Sequence, residues 1–106
     1  MKIRKKSAVI DAWCLSIVEL ALHPERVPTW VKAMIKRGEI VYIDTLRMWC
    51  PSKSAMRLFD FHSSSSDAGH NGFYILRDSG SDRPYRFISP SEMTFYEIIS
   101  DDSEGR

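Results

Sequence analysis

Apolar residues recur along this chain at two different periods, and the switches between them mark its elements. In residues 24–44, PERVPTWVKAMIKRGEIVYID, Trp30, Val31, Met34 and Ile35 return at helical spacing with Val27 just before them. Thr29, Lys32, Lys36 and Arg37 fall off that stripe and stay in water. The pattern predicts a helix opening at Pro28, with Lys36 and Arg37 at its negative dipole end and Gly38 as a left-handed stop. Ile40, Val41, Tyr42 and Ile43 then predict a strand leaving at once. The rest of the chain is organised around this helix–strand pair.

Before it, residues 1–6 read as a frayed basic lead. Residues 7–22 fit two patterns, a strand followed by a helix or one continuous helix through Ile10, Trp13, Cys14, Ile17, Leu20 and Ala21. We take a strand over 7–13 and a helix over 15–22, ended by Pro24. After it, residues 45–50 alternate, with Asp44 and Thr45 either turning the chain or carrying the strand on through a bulge. Pro51 opens a turn. Residues 55–62 alternate with apolar residues on both faces, which predicts a central or doubly covered strand. The serine- and glycine-rich stretch 63–72 reads as a mobile loop. Strands at 72–77 and 85–88 flank a hairpin turn at 78–82. Ser89, Pro90 and Glu92 form a capping-box start for one short helical turn, and 95–99 closes as a strand. The class is therefore α+β: a small, mostly antiparallel sheet of about five strands with one or two short helices packed on it. A single domain over 1–100 precedes an acidic, disordered tail at 101–106.

Composition changes this picture little. The 106 residues are 43% hydrophobic, enough for one ordered core, and the net charge of +1 sets up no global field for nucleic acid or membrane. Charge is unevenly placed, however. Lys2, Arg4, Lys5 and Lys6 crowd the start, whereas Glu92, Glu97, Asp101, Asp102 and Glu104 crowd the end. These runs are either solvated ends that attract each other if the termini meet, or a basic arm that touches phosphate or an acidic partner. The longest uncharged run is far short of a membrane span and no signal peptide is apparent, so a cytoplasmic protein with Cys14 and Cys50 reduced is expected.

Candidate chemistry is sparse. His23, His62, His70, Cys14 and Cys50 show no metal-ligand spacing, and Asp60 with His62 is only a pair. Neither cysteine stands at a glycine-rich turn that would lower its pKa, and no G-x-S-x-G or phosphate-cradling glycine pattern occurs. Asp60, Asp67, Asp78 and Asp82 lie in or beside loops as ordinary turn residues. No catalytic residue, cofactor or metal is expected. Aromatics offer the better binding hint. Most of Trp13, Trp30, Trp49, Tyr42, Phe73, Tyr74, Tyr85 and Tyr96 belong to the core, and any left outside would form an interaction patch.

Several segments resemble one known family. KIRKKSAVIDAW (2–13), VPTWVKAMIKRGEI (27–40), GFYILR (72–77), Tyr85, Pro90 and the triplet 95–97 are similar to the PGDYG family of small phage and prophage proteins. Asn71, Gly72, Phe73 and Tyr74 stand where that family has its namesake motif. The resemblance implies a phage-derived small α+β protein with no assigned enzymatic activity. Taken with the aromatic-rich composition and the lack of a catalytic constellation, it leads us to expect a non-enzymatic phage accessory protein that binds another protein, inhibition of a host or defence factor being one such action. Its partner would be a bacterial protein in the host cytoplasm. A homodimer through an unpaired edge strand or through 55–62 is a further expectation. The alternative from a different class is a nucleic-acid-binding module using Lys2, Arg4, Lys5, Lys6, Lys32, Lys36 and Arg37, if those seven share a face.

Overall fold

Strand formation follows the alternation of apolar and polar residues and begins earlier than the apolar density suggests. In the computed structural model, which describes residues 1–5, 8–61 and 68–100, the basic start is not frayed: Lys2–Lys5 is strand β1. Ile3 is completely buried, and it anchors a strand otherwise made of cations. β2 (Ala8–Cys14) pairs antiparallel with β1, Ile3 standing opposite Ile10. Helix α1 (Ile17–Leu22) follows, capped by the Ser16 hydroxyl, which accepts from the Glu19 N–H at 3.0 Å. Strand then helix is thus the outcome for the described residues 8–22.

A 3-10 turn at Pro24–Arg26 leads into α2 (Thr29–Lys36), where Pro28 occupies the N-cap and Gly38 takes φ +73°. β3 (Ile40–Ile43) leaves directly, and a tight turn with Arg47 at φ +52° returns it as β4 (Met48–Pro51). The strand predicted over 55–62 does not form. Lys53–Leu58 is a 3-10 helix instead, because Ala55 and Leu58, three apart, turn inward together at its period of three. Only Phe59 joins a sheet edge, through one parallel bridge to Tyr85. His62 and the first half of the predicted loop, 63–67, lie outside the described residues, and the second half contributes the short strand β5 (Gly69–His70). β6 (Tyr74–Arg77) and β7 (Tyr85–Ile88) form the expected hairpin. α3 (Pro90–Met93) starts at Ser89, whose hydroxyl accepts from the Glu92 N–H, and β8 (Glu97–Ser100) closes the chain's described part. The acidic tail lies beyond it.

Two sheets result. The larger runs β7-β6-β2-β1-β8, antiparallel throughout, and the smaller runs β3-β4-β5. The α+β class is as expected; the second sheet is an addition. Residues in register share a face. Trp13, Ile75 and Phe87 line one face of the large sheet, and Trp30, Val31 and Met34 of α2 pack there with Ile40 and Trp49 of the small sheet. Trp13 meets Trp49 edge to face, ring centroids 6.0 Å apart. Ile3, Ile10, Ala12, Leu76 and Ile88 line the other face beneath Met93 and Tyr96. The sheet therefore carries a core on each side. All three tryptophans are buried, as expected for a domain of this size.

Candidate interaction surface

One cross-strand row organises the charges. Ser100, Lys2, Asp11, Arg77 and Tyr85 stand opposite one another across all five strands. Asp11 is the only buried charged residue among those described. It accepts from Lys2 and, at 2.5 and 3.1 Å, from the Arg77 guanidinium. Burial alone would raise the Asp11 carboxyl, but the two hydrogen-bonded cations outweigh it and hold the pKa below its ordinary value. Arg77 in turn lies 5.0 Å from the Trp30 ring centroid, and Trp30 stacks on Tyr85. Burial, with Glu39 nearby, pushes the Tyr85 hydroxyl up, so it remains a neutral donor at physiological pH. This row ties α2 to the sheet. It is a structural device with every charge engaged.

The seven cations of the nucleic-acid reading do not appear as one free set. Lys2 serves Asp11, and Arg37 makes a two-pronged contact with Glu39 at 2.9 and 3.1 Å. The backbones of Arg4 and Lys5 are strand positions inside the sheet, with Arg4 opposite both Val9 and Glu97. Lys36 is exposed and Lys32 half-buried on α2, and Lys6 lies outside the described residues. Within the described residues the start and the end of the chain do meet, since β1 pairs with β8 and Arg4 stands opposite Glu97.

What remains available is apolar. β8 is the outermost strand and its one neighbour is β1. Phe95 leads into it 71% exposed, Ile98 is 54% exposed and Ile99 44%. The register shift between Lys2 and Ile3 leaves Ile99 as an extra residue without a cross-strand partner, a bulge at the sheet's margin. Val9, 56% exposed two strands inward, shows that the helix-bearing face is left open at this end. A strand apolar at both parities reads in sequence as covered, which is why 95–99 gave no sign of a surface. The run of apolar residues ending at an acidic stretch was the available signal.

Other features are less suited to chemistry. A cleft of about 510 Å³ lies between Asp60 and Phe61 and the turn at Ser81, Asp82 and Arg83. Its carboxylates and arginine are of opposite sign, Arg83 donates to the Phe59 carbonyl at 3.2 Å, and the Ser81 hydroxyl is bonded to the Arg83 backbone. Burial raises the Cys14 thiol, whose partners are the Gly72 carbonyl and Tyr74, so it stays protonated at neutral pH and is a poor nucleophile. Among the described residues no group of three or more His, Cys, Asp or Glu is placed to hold a metal ion, and no helix is long and apolar enough to cross a membrane. No family model, curated protein or solved structure gives a significant match to the chain.

Proposed function

We propose that this protein is a non-enzymatic binding module that takes up an extended segment of another protein along β8. The observation that carries this reading is the exposure of Ile98 and Ile99 on an outermost strand and of Phe95 in the turn that leads into it. An edge strand presents unpaired N–H and C=O groups that template a further strand, and side-chain burial beside it supplies the affinity. Apolar side chains are uncommon on an edge left open to water, where pairing with other chains is a hazard. The resemblance to small phage proteins makes a bacterial host protein the first partner class to test, with inhibition of that protein as the action.

The test compares the full chain with an Ile98→Lys, Phe95→Ser double variant as bait in bacterial lysate, circular dichroism confirming that both fold. A defined protein retained by the parent and reduced at least about tenfold by the variant supports the proposal. Equal recovery by both proteins overturns it.

A further inference from the structure

We propose that Asn71 is a self-modification site, held unreactive in the folded protein and released when the start of α1 lifts away from the turn between β5 and β6. This goes beyond the binding reading and does not depend on it. Asn71 carries the only side-chain amide in the sequence, which has no other asparagine and no glutamine. Gly72 follows it at φ +94°, and no atom beyond its chain neighbours lies within 4 Å of where a Cβ would stand. The backbone nitrogen after an asparagine can close on the side-chain carbonyl carbon, and glycine obstructs that approach least. Water is the one co-reactant needed. The Gly72 nitrogen gives up its proton and bonds to Cγ of Asn71, ammonia leaves, and a five-membered imide remains. Water then opens the ring. Opening at Cγ leaves aspartate, whereas opening at the main-chain carbonyl routes the chain through the side chain and lengthens it by one carbon.

The fold closes this reaction with two locks. The Gly72 N–H donates to the Leu15 carbonyl at 3.0 Å, so the proton that the nucleophile must lose is engaged. The Asn71 side-chain oxygen accepts from the Ile17 N–H at 3.3 Å and from the Trp49 indole N–H at 3.4 Å, which holds the amide toward α1 and β4. Leu15 also donates to the Phe73 carbonyl at 2.8 Å, so both locks belong to one seam between residues 15–17 and 71–73. Asn71 and Gly72 are exposed, so water reaches the seam, and the two bonds to the amide oxygen are long for their type. Opening a seam of this kind needs far less than global unfolding. Each opening exposes the reactive pair, and the product carries either a new carboxylate or a longer main chain between β5 and β6.

The test incubates the full chain at mildly alkaline pH in native buffer, in guanidinium chloride below the unfolding transition, and in full denaturant. Intact mass reads the change from amide to acid, and peptide mapping places it. The expected native rate is at least about tenfold below the denatured one, and it rises with denaturant before circular dichroism reports unfolding. Trp49→Phe, which keeps an aromatic ring and removes the indole N–H, should raise the native rate several-fold. Should that variant fail to fold, the denaturant series on the parent decides alone. A native rate equal to the denatured one overturns the locks. A native rate that follows only the globally unfolded fraction overturns local release at the seam. An unchanged rate in a folded Trp49→Phe overturns the hold on the amide oxygen. No mass change in full denaturant overturns the site itself.

Discussion

At the scale of single residues, Asp11 is the most informative position. Its carboxyl joins Lys2 of β1 to Arg77 of β6 from the strand between them. Because the folded carboxyl holds a proton less readily than the unfolded one, its contribution is complete above the ordinary value of 3.8 and is lost as pH falls through that value and the lower folded one. Lys2 is 41% exposed, so most of the benefit comes from the better-buried Arg77. Asp11→Asn should therefore cost about 2 kcal/mol at neutral pH and flatten the acid limb of the stability curve, as read by urea melts across pH. A parallel acid limb in the variant would show that other carboxylates carry it. Sequence could not single out Asp11: it lies in a strand among Ile10, Ala12 and Trp13, and only the register reveals its two cations.

At the scale of elements, the close seating of β5 on the large sheet depends on Gly69. A methyl placed there would lie 2.7 Å from the Phe87 ring and closer still to Leu15. Gly69→Ala should destabilise the protein by about 1–3 kcal/mol through overpacking, measured by denaturant unfolding, while Gly80→Ala, which meets only an Asp78 oxygen at 3.6 Å, stays near neutral. Elements were legible in sequence where a local signal and a long-range role agreed. Gly38 ended α2, and Ser89 with Pro90 started α3, because caps act within one turn. Residues 55–61 misled because alternating Met56, Leu58 and Phe59, Phe61 fit a strand as well as the 3-10 turn that Ala55 and Leu58 stabilise. β1 was hidden for the opposite reason: its one apolar residue, Ile3, gains its value only when Ile10 and β8 arrive beside it. The candidate surface was the least legible part, since exposure is a property of the assembled sheet and not of FYEII.

At the scale of the whole molecule, the unequal covering of the large sheet sets where it should open. β7, β6 and β2 are clamped between two cores, whereas β8 lies at the sheet's edge with β1 as its strand neighbour among the described residues. Amide hydrogen exchange should be fastest in β8 and slowest in β2 and β6, with β1 between them. Uniform protection across the five strands would contradict this gradient. An added strand on β8 should slow exchange there first, which makes the same measurement a map of the docking edge.

The antiparallel pairing of β1 with β8 places Lys2 beside Ser100, so the two ends of the described chain emerge together at one corner. Tension applied between those ends would load the ladder bonds one at a time, as in opening a zipper, and would not shear them together. β8 should therefore peel away at low force while the clamped strands stay folded. A partner that grips β8 from its outer side adds a second row of bonds to the same strand, and would turn the mechanically weakest seam of the protein into a braced one.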